Sequence, residues 1–318
     1  MKVIDFKKEH IKEAEMLACS DYDEQRMYVA PLPIHNTGIN LTSFADNNFS
    51  VAAIDENKLV GFLCSFPPFE HAFGSTDITG VFSPMGANAA VKENREKIYD
   101  IMYQTAAEKW VKAGALSHAV CIPAHDLKLQ REFYRLGFGL RCMDAIRKTD
   151  NIECADISGY DFVEIPISDY QKIYSLYTDL CRHYQKSPFF MNRANKTKEE
   201  FITSAKESDS RLFAAFHKGE ICAYFESAKA GETYICNSPN YIHICGAYCL
   251  PQYRGKGIVQ NLLDYMITAL RNDGYTLLGV DFESINPTAY GFWTKYFTPY
   301  THSVVRRIDE HILNGSKM

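Results

Sequence analysis

The sequence predicts a mixed α/β protein built from two similar domains. Three observations predict this fold class: a length of 318 residues, a hydrophobic fraction of 46%, and a self-similarity between the two halves of the chain. The usual domain size of about 150 residues makes two domains the expectation. The hydrophobic fraction is ample for packed cores. We predict domains at residues 1–150 and 160–318, separated by a polar stretch flanked by strand signals.

The two halves contain the same elements in the same order, at an offset of about 159 residues. The segment AIRKTD at Ala145–Asp150 returns as VVRRID at Val304–Asp309. Each half also contains an apolar run, a polar turn and a second apolar run, at Val51–Phe62 and again at Leu212–Phe225. This pattern is typical of a β-hairpin. The repeat therefore predicts one fold occurring twice.

The second half shows its elements clearly. A short strand at Phe162–Ile165 precedes a helix that we expect Ser168 to cap, and Thr197–Glu200 has the spacing of a capping box that opens another helix. Strands and helices then alternate after the hairpin, in the order strand Tyr241–Leu250, helix Ile258–Arg271, strand Leu277–Phe282, helix Ala289–Lys295 and strand Val304–Ile308. This order predicts a mixed sheet with helices on both faces.

Charge, hydrophobic runs and cysteine spacing exclude several classes of protein. The net charge of −5 offers no basic surface for nucleic acid. We find no apolar run long enough to span a membrane and no export signal at the N-terminus, so we expect a cytoplasmic protein. The ten cysteines lack paired spacing, and the nearest pair, Cys245 and Cys249, has no matching His or Cys pair. We therefore expect reduced thiols and no metal.

A glycine-containing turn between a strand and a helix is the strongest functional signal. Gly255 and Gly257 permit unusual backbone angles there, and Arg254 and Lys256 add positive charge. Main-chain N–H groups at such a helix start can hold a pyrophosphate. An ordinary strand-to-helix turn is the alternative interpretation of two glycines alone.

The stretch from Gln252 to Gly257 resembles the signature of the GCN5-related N-acetyltransferase (GNAT) family: Gln or Arg, two residues, Gly, one residue, then Gly or Ala. The family's next landmark is Asn, two residues, Ala, two residues, an apolar residue and Tyr. It is similar to Asn286, Ala289, Phe292 and Trp293. The resemblance covers residues 160–310 well and reaches residues 1–150 through the repeat. It implies two tandem GNAT-like domains.

The resemblance also implies acetyl-CoA, or another acyl-CoA, as co-substrate. It would bind between the Tyr241–Leu250 and Leu277–Phe282 strands. The implied cofactor-binding residues are Cys249, Leu250, Gln252, Tyr253, Arg254, Gly255, Lys256, Gly257, Ile258, Asn286 and Trp293. Asn286 precedes Pro287, so it is also a candidate helix cap, and both roles are compatible.

Transfer to an amine requires a base, and the departing thiolate gains from a proton donor. Glu283 and His243 are the candidate bases, with a solvated strand-end charge and a buried sheet histidine as their alternative roles. A water relay is a further alternative that needs neither side chain. Trp293 stands where the family often has a donor tyrosine, and its indole N–H is too weak an acid. Tyr296 and Tyr290 lie three residues to either side of Trp293 and can share a helix face with it. We favour Tyr296 as donor; the thiolate leaving unprotonated is the alternative.

The first half departs from the signature. Aligning Pro84 with Pro251 sets Met85–Ala90 against Gln252–Gly257, and both motif glycines and the basic residues are lost. Tyr134 is expected at the donor position. We predict that this domain is degenerate and shapes the acceptor site or stabilises its neighbour.

The predicted function is an N-acetyltransferase that moves an acetyl group from acetyl-CoA to an amine of a small molecule or peptide. A loop containing Phe189, Phe190 and Arg193, with Tyr184 before it, is expected to line the acceptor site. One alternative is a catalytically impaired CoA-binding or scaffolding protein, indicated by Trp293. Another is a Fem-like tandem transferase using aminoacyl-tRNA, which the acidic charge balance disfavours.

Overall fold

The computed structural model of the protein describes residues 1–34 and 38–317. The chain divides into two compact units, one formed by Met1–Met143 with Pro299–Met318 and the other by Asp144–Thr298. The domain limits expected from the sequence, 1–150 and 160–318, stay a prediction. Within the described residues, no helix combines the length and apolar character needed to cross a membrane.

Strands and helices are interspersed along the described part of the chain. The strands are β1 Lys2–Asp5, β2 Val51–Asp55, β3 Lys58–Leu63, β4 Gly80–Ser83, β5 Asn88–Ala90, β6 Ser117–Pro123, β7 Gly139–Lys148, β8 Tyr160–Ile165, β9 Arg211–His217, β10 Glu220–Ala228, β11 Tyr241–Cys249, β12 Leu277–Glu283 and β13 Thr298–Arg307. The α-helices are α1 Ile11–Tyr28, α2 Thr42–Ala45, α3 Arg95–Lys112, α4 Leu127–Arg135, α5 Tyr174–Tyr184, α6 Lys198–Glu207, α7 Ile258–Asn272 and α8 Pro287–Tyr296.

The first unit contains an antiparallel group of strands in the order β1-β2-β3-β5. In the same unit β4 pairs with β6 in parallel, and β13 pairs with β6 in the antiparallel sense. Helix α3 supplies the largest buried side chains of its core, Tyr99, Tyr103 and Trp110. The last strand of the chain therefore belongs with the first unit.

The second unit contains strands in the order β12-β11-β10-β9-β8, with β11 and β12 parallel and the other pairs antiparallel. Helices α5 and α6 pack on the face that carries Tyr224. On the opposite face Phe213 contacts Tyr265 of α7, and Phe225 contacts Trp293 of α8. The predicted mixed sheet with helices on both faces is confirmed.

Local sequence signals explain where the helices of this unit begin. The Thr197 hydroxyl accepts from the Glu200 N–H, and the Glu200 carboxylate accepts from the Thr197 N–H, which is the predicted capping box. The expected cap at Ser168 is wrong, because residues 167–172 form a 3-10 turn that follows Pro166. Helix α7 buries its predicted apolar stripe, which consists of Ile258, Leu262, Leu263, Met266, Ile267 and Leu270.

Candidate functional site

The candidate site is a cleft that opens between β11 and β12. The two strands pair over only four positions, from Tyr241 with Leu277 to Ile244 with Val280. Both strands continue, to Cys249 and Glu283, without pairing further. The β10–β11 register shifts at this point, because Glu226 opposes Gly246 while Ser227 opposes Ile244, leaving Cys245 as the extra residue of a bulge. A bulge bends its strand, which accounts for the separation.

The main chain of β11 beyond the bulge presents polar groups to this cleft. The Leu250 N–H donates to the Cys222 carbonyl on β10. Because hydrogen-bonded and non-bonded pairs alternate in an antiparallel ladder, Cys249 and Ala247 direct their N–H and carbonyl groups away from β10. The Cys249 carbonyl already accepts from Arg254 Nε at 3.0 Å. The Cys249 N–H, the Ala247 N–H and the Ala247 carbonyl therefore point into the cleft.

The glycine turn after β11 presents a row of unused N–H groups. Gly255 and Gly257 have φ values of 71° and 80°, a region that residues with a Cβ rarely adopt. The first main-chain hydrogen bond of α7 runs from the Asn261 N–H to the Gly257 carbonyl. Within the described part of the chain, the N–H groups of residues 255–260 therefore have no partner. Free N–H groups at the start of a helix are the arrangement that binds an anion such as a phosphate.

The two basic side chains of the turn, which the sequence predicts to add positive charge around it, each lie against a tyrosine ring. Arg254 folds back, with its guanidinium over the Tyr248 ring at 5.5 Å, and the Lys256 ammonium lies 5.7 Å from the centre of the Tyr253 ring. Gln252 is exposed, whereas Ile258 is fully buried in the core. The N–H groups of Tyr253 and Arg254 are used within the turn, by the Leu250 and Pro251 carbonyls. The free donors thus begin at Gly255.

Asn286 and Trp293 both lie on α8. The Asn286 side-chain oxygen accepts from the Ala289 N–H at 3.0 Å and from the Thr288 hydroxyl, so its capping role is observed. Trp293 is buried against Phe225, Phe292 and Phe297. Its environment is that of a core residue, and a contact of either side chain with CoA stays a prediction.

The two candidate bases lie on the α5 side of the cleft. His243 is buried, and its Nε2 lies 2.7 Å from Asp281 Oδ1 while its Nδ1 lies 2.7 Å from the Tyr241 hydroxyl. With Asp281 ionised and His243 neutral, Nε2 donates to Asp281 and Nδ1 accepts from the Tyr241 hydroxyl. Both ring nitrogens are therefore engaged. Glu283 ends β12 and is partly exposed.

Asp281 and Tyr241 were missed in the sequence. Asp281 is the first residue of β12 beyond its pairing with β11, and its side chain is 39% exposed. A carboxylate interrupting the apolar run from Leu277 to Phe282 was the signal that pointed to it. Tyr241 had no such signal, because a buried aromatic residue in a strand is ordinary.

The expected acceptor loop lies near these groups. Phe189 is buried against the rings of His183 and Tyr184, whereas Phe190 is exposed. The Arg193 guanidinium lies 5.4 Å from the centre of the Tyr184 ring. Burial raises the pKa of Tyr184, and the Glu283 and Asp281 carboxylates raise it further. Tyr184 is thus close to the carboxylates of β12.

Tyr296, the favoured donor, lies in the last turn of α8. Its ring contacts Phe292, and the Lys295 ammonium lies 5.3 Å from the ring centre. Tyr290, the other tyrosine of this helix, is exposed beside Phe282. The donor role of Tyr296 stays a prediction.

The first unit corrects two alignments made from the sequence. Asn88–Ala90 form β5, and only residues 91–94 connect this strand to α3. Residues 91–94, and not Met85–Ala90, are therefore the first unit's counterpart of the glycine turn. Counting from the helix caps Asp126 and Asn286, Phe133 and not Tyr134 corresponds to Trp293. Tyr134 is 80% exposed, whereas Phe133 is buried. One residue turns a side chain by about 100° around the helix axis, so Phe133 faces the core where Tyr134 faces solvent.

The region of the first unit that corresponds to the cleft contains protein side chains. Asn88 takes the place of Ala247, because each lies two residues before the end of its strand. Its amide donates to the Cys121 carbonyl of β6 and to the Ser83 hydroxyl, while its oxygen accepts from Tyr99. These bonds join the strands that separate in the second unit.

The start of α3 carries a buried ion cluster. Arg95 contacts Glu24 at 2.7 Å, Asp126 at 2.8 Å and Asp21 at 3.6 Å. The residue before the helix, Asn94, has φ 56°, a positive value like that of Gly257 in the second unit. A guanidinium held by three carboxylates here leaves no uncompensated positive charge for a diphosphate.

Asp21 makes the first unit sensitive to pH. Burial raises its pKa from 3.8 to about 7, although Arg95 opposes the shift. The folded state therefore binds more protons than the unfolded state between these values, and stability falls as pH rises through that window. We expect Asp21→Asn to be more stable than wild type at pH above the window, by on the order of 3–4 kcal/mol, and similar below it.

Urea unfolding at both pH limits measures this effect. Asp23→Asn is the matched control, since Asp23 lies on the same helix with its side chain 71% exposed. Equal pH profiles for Asp21→Asn and wild type would contradict the prediction.

Comparison with known proteins agrees with the fold. Residues 172–297 match the model of the acetyltransferase (GNAT) family. No curated protein matches the sequence significantly.

Two solved structures share the fold over most of the chain. A GCN5-related N-acetyltransferase from Sphaerobacter thermophilus is 10% identical, with 96% of this chain and 95% of that chain aligned at a TM-score of 0.57. A GCN5-related glucosamine N-acetyltransferase region of a fungal multi-domain GH3 beta-N-acetylglucosaminidase is 12% identical, with coverages of 96% and 38% and a TM-score of 0.51. At these identities the likeness concerns the fold. The predicted mixed α/β fold is confirmed, with similar GNAT structures covering most of the chain.

Proposed function

We propose that the second unit transfers an acyl group, normally acetyl, from acyl-CoA to an amine of a small molecule or peptide. The observation that carries the proposal is the separation of β11 from β12 after Ile244 and Val280, directly before a turn with free N–H groups. The cleft offers the edge of β11 to the extended pantetheine arm. The turn offers donors at a helix start to the diphosphate.

The residues present fit such a ligand. The Gly255 position has nothing within 4 Å of where a Cβ would stand, so the turn is open on that side. The main-chain groups of Ala247 and Cys249 are available to hydrogen-bond the amide groups of the pantetheine arm. A sheet edge pairs with an added strand in the same way. We assign the first unit no acyl-CoA, because Asn88 bridges its strands and the two terminal nitrogens of Arg95 are held by the Glu24 and Asp126 carboxylates.

In the proposed reaction the amine nitrogen attacks the acyl carbonyl carbon. A C–N bond forms, the C–S bond breaks, and the electron pair leaves with sulfur. The nitrogen loses one proton, for which Glu283 is one acceptor and Asp281 another. We assign His243 to holding Asp281, because both of its ring nitrogens are already bonded. Sulfur leaves as the thiolate or takes a proton from Tyr296.

Release of free CoA from acetyl-CoA, followed with a thiol reagent against a panel of amines, tests the proposal. We expect release that depends on an added amine and CoA binding detectable by calorimetry. Tight CoA binding without turnover on any amine would favour the impaired CoA-binding protein indicated by Trp293. Failure to bind CoA would contradict both.

A further inference from the structure

Arg193 carries a positive charge that no described carboxylate neutralises by an ion pair. No carboxylate or carbonyl of the described chain accepts a hydrogen bond from its guanidinium, which lies over the Tyr184 ring instead. The other arginines of the second unit each donate to such an oxygen: Arg147, Arg182, Arg211, Arg254 and Arg271. Arg193 is exposed, so an anion in solution can reach it.

The main chain on both sides of Arg193 is anchored to α5. The Met191 N–H donates to the Tyr184 carbonyl at 2.8 Å, and the Arg193 N–H donates to the Met191 carbonyl at 3.2 Å. After Arg193, the Lys196 N–H donates to the Tyr177 hydroxyl at 3.2 Å. The guanidinium is therefore presented from a fixed segment, which lowers the entropy cost of binding a ligand there.

Tyr224 provides an independent sign of a ligand near Arg193. Its side chain is 1% exposed, and its hydroxyl has no hydrogen-bond partner among the described residues. Burial raises its pKa well above the usual range, the Glu226 carboxylate raises it further, and the nearby Arg193 guanidinium lowers it. A Cβ on Gly246 would lie 3.6 Å from this hydroxyl, which places it beside the bulge of β11. A buried hydroxyl without a partner is unfavourable unless a bound group completes its hydrogen bonding.

Charges of both signs lie around Tyr184. Burial raises the pKa of Tyr184, whereas the Arg193 guanidinium lowers it. The Glu283 and Asp281 carboxylates raise it as well. Tyr184 is thus close to the guanidinium and to both proton acceptors of the proposed reaction. A small molecule with an amine and a carboxylate has charges that complement this arrangement, with its amine toward β12 and its carboxylate toward Arg193.

We propose that the acceptor is a small aminocarboxylate, such as an amino acid, and that Arg193 binds its carboxylate. A guanidinium offers two parallel N–H donors to the two oxygens of a carboxylate. Because no carboxylate or carbonyl of the described chain holds the guanidinium, it can turn to place the bound group against the Tyr224 hydroxyl, which donates to it. This inference rests on the proposed acyl transfer in the second unit and names the class of its acceptor.

Acceptors that differ only in the carboxylate test the inference. Glycine, β-alanine and L-phenylalanine are each compared with the corresponding amide, with acetyl-CoA near neutral pH. Wild type should favour the acid of at least one pair about 10-fold or more in kcat/KM. In Arg193→Gln we expect this acid-to-amide ratio to fall about 10- to 100-fold, chiefly through KM for the acid.

Arg182→Gln is the matched control. Arg182 lies on α5, its guanidinium contacts Asp179 at 2.7 Å, and its side chain is 64% exposed. It removes the same charge from the same part of the surface, so the acid-to-amide ratio should stay that of wild type.

Tyr224→Phe provides a second variant that removes only the hydroxyl. We expect the acid-to-amide ratio to fall about 3- to 10-fold. The midpoint of thermal unfolding without ligand should stay at or above that of wild type, because the hydroxyl has no partner among the described residues. A lower midpoint with an unchanged ratio would show a structural role and contradict the assignment of Tyr224.

The inference is overturned if wild type uses the amides as well as the acids, or if Arg193→Gln keeps the wild-type ratio. Turnover confined to amines without a carboxylate would also overturn it and leave the proposed function intact. Absence of CoA release with any amine would instead contradict the proposed function.

Discussion

Gly257→Val is expected to weaken CoA binding roughly 100-fold, since backbone strain of about 1–3 kcal/mol and a displaced turn act on the same contact. Gly257 has φ 80°, which a β-branched residue strongly disfavours. A Cβ there would already lie 3.4 Å from Ile157 Cγ2. The turn must rearrange, and the N–H groups of 255–260 then lose their common direction. Calorimetric titration with CoA measures the change.

Gly274→Val is the matched control for this variant. Gly274 follows the other end of α7, with φ 90° and no atom within 4 Å of the place that a Cβ would take. It brings the same backbone strain without touching the turn, so CoA affinity should be kept. Wild-type affinity in Gly257→Val would show that this turn does not hold the diphosphate.

Arg95→Ala is expected to destabilise the first unit by about 3–5 kcal/mol. The substitution leaves Asp21, Glu24 and Asp126 buried together without their cation; their side chains are each 14–15% exposed. Removing one partner of a buried ion cluster leaves uncompensated charge in a poorly solvated place. The midpoint of thermal unfolding should fall by about 10 °C.

Arg135→Ala serves as the comparison, because Arg135 also contacts two carboxylates, of Glu132 and Asp100, but is 59% exposed. Water replaces those contacts, so its midpoint should stay near that of wild type. Equal midpoints for the two variants would show that the Arg95 cluster contributes no more than a surface pair.

Most secondary-structure elements of the second unit were predictable from local patterns. The hairpin of β9 and β10, the capping box at Thr197 and the apolar stripe of α7 each depend on neighbouring residues along the chain. The glycine turn was predictable because positive φ values require glycine or a few other residues. The roles of Gln252 to Gly257 in binding stay predictions.

The alignment of corresponding residues between the two units was harder to predict from the sequence. The Met85–Ala90 alignment was wrong because Asn88–Ala90 form a strand, so that only four residues connect β5 to α3 where the second unit has a longer turn. The position of Tyr134 was wrong by one residue. Ser168 was wrong because Pro166 begins a 3-10 turn instead.

The sequence by itself determined the doubled α/β architecture, the order of elements and the turn after β11, since each is encoded in residues close along the chain. Only the tertiary structure decided that β11 leaves β12 at Ile244, that Asp281 meets His243, and that Glu226 and Tyr224 border Gly246. These contacts join residues on different strands, and a bulge of one residue sets which side chains meet. Strand pairing across the sheet, and not local propensity, fixes such a register.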